Sequence, residues 1–120
     1  ILHHNISPSP GKEKQSFIGR AEMLLKTINN AQIDLILAGH VHTAYSKVIR
    51  QSEKEDISSI IASAGTAVSK RVRGEPNSYN LIEGSPREIE IVIRSFNGDK
   101  FSETERKVFE KKNKHWDIKE

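Results

Sequence analysis

Cysteine is absent from the sequence, which removes disulfides, zinc–thiolate sites and thiol catalysis at one stroke. Any metal must then be held through nitrogen and oxygen. No apolar run approaches the ~18 residues of a membrane-spanning helix, and no signal-peptide pattern is present. The expected setting is therefore the cytoplasm, with no membrane partner. An excess of one charge is missing too. The 19 basic and 16 acidic residues leave a net charge of +3, and lysines are interleaved with glutamates rather than massed in one block. Nucleic acid is accordingly not expected as a partner. Ser63-Ala64-Gly65-Thr66 contains a glycine but lacks P-loop spacing, which argues against nucleotide binding through it. Ser58, Ser59, Ser63 and Ser69 have no histidine–acid partners that the sequence can place, so serine hydrolase chemistry is set aside.

What the chain does have suits one domain. Its 120 residues, 35% hydrophobic and 29% charged, can bury roughly two-thirds of their unfolded surface. The first residue, Ile1, already lies in what reads as a core strand, so the chain is expected to be a piece of a longer protein. "ILHH" reads as the end of a buried strand, and Pro8, Pro10 and Gly11 then enforce a loop. Phe17, Ile18, Ala21, Leu24, Leu25, Ile28 and Ala31 form one helical stripe, with Ser16 as its N-cap. "IDLILAG" is a short, nearly continuous apolar run, as in a strand covered on both faces. Strand, helix and strand make a βαβ unit.

Beyond it the pattern changes to repeated strands: "AYSKVIR", "SSIIASAG", "SYNLIEG" and "REIEIVIRSF". In the last of these Ile89, Ile91 and Ile93 share one face, and Glu88, Glu90 and Arg94 the other. Asn97-Gly98 signals a hairpin to a final strand near residues 101–109. The predicted class is α/β, a βαβ unit followed by mainly antiparallel strands. Residues 1–110 form the domain and residues 111–120 a charged surface tail anchored only by Trp116.

Four of the five histidines stand in two pairs, His3-His4 and His40-Val41-His42. A lone histidine near a core strand is more often a hydrogen-bonded structural residue than a ligand, and His115 is read that way. The pairs differ in two respects. In an extended backbone His40 and His42 would lie on one side, ~6.6 Å apart. Metal–nitrogen bonds of ~2.0 Å would then bring two ions close together, and ions ~3.5–4 Å apart are the usual device for phosphate-ester hydrolysis. Gly39 would let the chain leave the strand sharply beside such a site. Both pairs also end strands of one βαβ unit, whose carboxyl ends share the sheet edge where α/β proteins bind ligands.

His3-His4 at a strand end, then a helix, then "AGHVHTAY", resembles the C-terminal half of calcineurin-like metallophosphoesterases. "ASAGTAVSKRVRGEPNSYNLIE" is similar to the segment that follows in their class III cyclic-nucleotide phosphodiesterase branch. The resemblance covers about residues 1–95. It implies the C-terminal half of an αββα sandwich and a dinuclear centre of Mn²⁺, Fe or Zn²⁺ ions, all of which suit imidazole. His3 and His40 would ligate one ion and His42 the other, while His4 would take a supporting role. Two such ions activate water and stabilise charge on phosphoryl oxygens. The implied activity is phosphodiester hydrolysis, with small cyclic nucleotide-like substrates favoured.

The chain departs from the family pattern in two places. Asn5 stands where the family usually has proline after the histidine pair, a mild change in a loop, and is a candidate for a supporting or substrate-contacting role. The family's earlier blocks (Asp-x-His, Gly-Asp-x-x-Asp and Gly-Asn-His-Asp/Glu) are absent, and with them the bridging aspartate, the asparagine ligand and the general acid. No catalytic residue is therefore assigned in this chain. The expected partner is the missing N-terminal half, and the chain alone should be inactive. A sheet edge left exposed there could also pair with a second copy, giving a homodimer. Arg71, Arg73 and Asn77 could touch a substrate phosphate, since arginine grips it bidentately, or form a solvated basic loop held by Gly74 and Pro76. The alternatives are an inactive phosphoesterase-like scaffold that binds other proteins, and a nuclease of the same superfamily.

Overall fold

The computed structural model of the chain describes residues 1–3, 21–39, 42–50, 57–70 and 74–120. One helix, α1 (Ala21–Asn30), precedes seven strands: β1 (Leu35–Ala38), β2 (Tyr45–Arg50), β3 (Ser58–Ser63), β4 (Ser78–Gly84), β5 (Glu88–Phe96), β6 (Phe101–Lys112) and β7 (His115–Ile118). They form two sheets, ordered β1-β3-β2 and β4-β5-β6-β7. The result is a mixed α/β fold made mostly of strands. The helix cap predicted at Ser16 and the apolar positions Phe17 and Ile18 lie outside the described residues. Among the described residues no helix is long and apolar enough to cross a membrane.

Strand β3 lies in the middle layer, and its sequence explains why. All six of its residues are buried, and in an extended chain they must serve two faces alternately. Ile61 packs with Ile28 of α1 and with Ile36, Ala38 and Tyr45, with Leu24 and Leu25 beside them. Ile60 and Ala62 turn the other way and join Ile89, Ile91, Phe109 and Trp116 of the second sheet. The layers therefore run helix, three-stranded sheet, four-stranded sheet. β3 pairs in parallel with β1 and antiparallel with β2. Helix α1 ends in a Schellman-type turn: Gln32 adopts φ 53°, and the Ile33 and Gln32 N–H groups bond the Ile28 and Asn29 carbonyls.

The β5–β6 hairpin follows its sequence signal. Gly98 has φ 99°, a conformation in which glycine alone is unstrained. Asn97 Oδ1 accepts the Asp99 and Lys100 N–H groups at 2.9 and 3.0 Å. The C-terminal residues correct the expectation of a surface tail. β6 extends to Lys112, turns through Asn113 at φ 59°, and returns as β7, paired Lys111↔Trp116 and Phe109↔Ile118. Trp116 is only 1% exposed.

Asp34, just before β1, ties this end to the first sheet. Its Oδ1 accepts Lys111 Nζ at 2.6 Å and Trp116 Nε1 at 2.9 Å. Burial pushes the Asp34 carboxyl up, but the bonds from Lys111 and Trp116 and the lysine charge outweigh it and hold the group below its ordinary value. A carboxyl lowered in the folded state stabilises the fold above its unfolded pKa of about 3.9 and loses that contribution as pH falls through the folded value. Asp34→Asn should therefore flatten the acid limb of stability below about pH 4. At neutral pH it should cost about 1 kcal/mol or less, because the pair is half-exposed. Asp34→Ala strands the indole N–H and should cost about 1–3 kcal/mol. Urea titrations from pH 2.5 to 7 would check both, and an unchanged acid limb in Asp34→Asn would refute the assignment.

Candidate functional site

The first sheet gathers three carboxyl ends on one edge. Leu2 forms a parallel bridge to Ala38, its N–H bonding the Leu37 carbonyl at 2.7 Å. Residues 1–3, β1 and β3 therefore run the same way, ending at His3, Gly39 and the Ala64–Thr66 stretch. β2 runs against them and enters from this edge at Tyr45, whose phenol burial pushes above its ordinary pKa. The connection from β1 to β2, which carries His42, must cross the same edge.

His3 is exposed there, and its carbonyl oxygen lies 3.9 Å from the position of a Cβ on Gly39. That separation is ordinary contact, and Gly39 is not in the left-handed region. Among the described residues of this exit, the left-handed turn falls on His42, at φ 58°. The extended backbone expected through His42 is thus corrected. Histidine is one of the few non-glycine residues that adopt this conformation readily, and such positions concentrate at functional sites, where the surrounding structure holds them.

What holds His42 is a hydrogen bond of 2.6 Å between its Nδ1 and Thr66 Oγ1. Thr66 arrives there because β3 runs on past its last residue, with the Ala64 N–H bonded to the Ala38 carbonyl at 2.9 Å. Gly65 then passes so close to β4 that a Cβ would sit 2.4 Å from Ser78 Oγ. The Ser78 N–H bonds the Thr66 carbonyl at 2.9 Å, closing a loop. Asn77 braces its interior, giving Nδ2 to the Ser69 carbonyl at 3.0 Å and accepting the Ser69 N–H at 3.3 Å. A second grip comes from Glu75, whose Oε2 accepts the Ala44 N–H at 3.3 Å. One loop therefore holds residues 42–44 at two points.

Of the residues singled out in the sequence, His3 and His42 come to this one edge, and Asn77 lies in the loop that braces it, its amide engaged with Ser69. His4, Asn5, His40, Arg71 and Arg73 lie outside the described residues. Thr66, Glu75 and Gly65 were not singled out. The available signal was topological: a third strand parallel to β1 must deliver its carboxyl end to the same edge.

Imidazole donors fit the metals considered above, and one ring nitrogen of His42 is bonded to an oxygen, as is common for metal-bound histidines. Among the described residues no group of three or more His, Asp or Glu side chains comes together. His3 and His42 would be part of a ligand set and not the whole. Compared with known protein families, curated proteins and solved structures, the chain matches none.

Proposed function

We propose that this chain supplies the imidazole side of a dinuclear metal centre in a phosphoester hydrolase, and that its layers are the C-terminal half of a metallophosphoesterase-type αββα sandwich. The observation that carries the reading is His42: a left-handed histidine, held by Thr66 Oγ1, on the same strand edge as His3. The succession of helix, sheet and sheet supports the fold. When bound, the ions would supply Lewis acidity and an activated water.

The chain's own residues orient the ligands. His3 and His40 belong to one ion and His42 to the other, with His4 supporting them. The loop braced by Asn77 carries Arg71 and Arg73 in sequence, and these are the candidates for the substrate phosphate. Carboxylate ligands and the general acid would come from a longer protein. A phosphodiester of cyclic-nucleotide type is the favoured substrate.

The test is metal removal. The longer protein should hydrolyse bis(p-nitrophenyl) phosphate, lose the activity on dialysis against EDTA, and regain it with Mn²⁺ or Zn²⁺. A folded protein with no metal-dependent hydrolysis would instead be a phosphoesterase-like scaffold.

A further inference from the structure

Thr66 lies just beyond the end of β3 and belongs to no strand. Its backbone already bonds Ser78 through the carbonyl, while its hydroxyl reaches sideways across the sheet edge to His42 Nδ1. A hydroxyl can accept from Nδ1–H or donate to a bare Nδ1. Only the first case leaves a ring nitrogen open to an ion. If Nδ1–H donates, Nε2 carries the lone pair and can bind an ion; if the hydroxyl donates, Nε2 is protonated and cannot.

We propose that Thr66 is a positioning residue for His42: its Oγ1 accepts the Nδ1–H bond, fixes the Nδ1–H tautomer, and leaves Nε2 as the metal-facing atom. The inference rests on the proposed metal centre, and three features support it. The left-handed backbone at His42 points to a side chain held from outside its own segment. Glu75 fastens Ala44 from the same loop, so ring and backbone are gripped together. The close pass of Gly65 over Ser78 fixes how far Thr66 reaches. Oxygen partners of this kind orient metal-bound imidazoles, and their loss weakens metal affinity by about 10–100-fold.

The experiment uses the longer protein that the phosphoesterase reading requires, labelled with ¹⁵N-histidine, observed metal-free by NMR at pH 8.5 and then titrated with Zn²⁺ alone. Wild-type His42 should show a protonated Nδ1 and a bare Nε2. Thr66→Val, nearly isosteric, should lose that fixed pattern and weaken the Zn²⁺-dependent shift of His42 by about 10–100-fold, whereas Thr66→Ser should retain both. A His42 protonated at Nε2 in the wild type, or a Thr66→Val spectrum unchanged from it, overturns the role of Thr66 whatever the Zn²⁺ result. The expected tautomer with no response of His3 or His42 to Zn²⁺ overturns the metal centre, and the proposal with it. Unchanged amide shifts in β1 and β3 would show that Thr66→Val keeps the fold.

Discussion

Replacing Trp116 by alanine is expected to destabilise the chain by about 3–5 kcal/mol, the range for deleting a large buried aromatic. Trp116 is 1% exposed and packs against Ile60 and Ala62 of one sheet and Ile89, Ile91 and Phe109 of the other. Its backbone N–H bonds Ser58 Oγ at 2.6 Å, and its indole N–H bonds Asp34. The side chain thus links β7 to both sheets, and truncation leaves a cavity at their junction along with an unpartnered Asp34 lone pair. A domain of this size has about 5–15 kcal/mol of stability in all, so the variant should lose a large share of it and unfold at a markedly lower urea concentration. Trp116→Phe keeps most of the apolar area and loses only the indole bond, so it should fall well short of the alanine loss. Urea unfolding followed by circular dichroism decides the matter. A loss below about 1 kcal/mol, the level of an ordinary surface change, would mean that β7 frays from the domain.

That strand was the least legible part of the fold. "EKKNKHWDIKE" is dominated by charge, and only Trp116 and Ile118 offer an apolar face, too short a run to announce a strand. Its turn depends on Asn113 at φ 59°, a weaker signal than the Asn97-Gly98 pair that marked the previous hairpin. The other strands carried their own evidence. β3 is apolar on both faces because two layers cover it, and β5 alternates because Ile89 and Ile91 meet the core while Glu88, Glu90 and Arg94 share the other face with a buried Val92. The composition could not tell that β3 joins β1 in parallel. That pairing is a long-range choice, made when the helix and the second sheet bury Ile61 and Ile60 in opposite directions.

That His3 and His42 come to one sheet edge was legible because residue type and strand end can be read along the chain. Thr66 and Glu75 were not, because each acts on residues more than twenty positions away and neither has a distinctive neighbourhood. Along the sequence, "SAGT" shows no more than a glycine without P-loop spacing inside a longer segment of family resemblance. Its actual use, a small-residue pass across β4 that aims a hydroxyl at His42, becomes visible only once Gly65 is seen against Ser78.

The second large effect concerns His42. Alanine is a poor probe there, because a φ of 58° strains an alanine backbone, and lost activity could then reflect a moved loop. Asparagine tolerates the left-handed region and keeps a polar group near Thr66 Oγ1, so His42→Asn removes the imidazole with the least disturbance. In the longer protein that the phosphoesterase reading requires, His42→Asn should reduce hydrolysis of bis(p-nitrophenyl) phosphate by more than the ~100-fold upper range for losing a mere orienting partner. It should also release one of the two ions, measured by metal analysis of the dialysed protein. Thermal unfolding should stay within about 1 kcal/mol of wild type. The combination matters more than any single number. Lost activity with both ions retained would give His42 a role other than ligation, and full activity in a folded variant would remove His42 from the site. Low activity with one ion missing and an intact fold is the outcome that a ligand at this edge predicts, because two ions must act together on the phosphoryl oxygens.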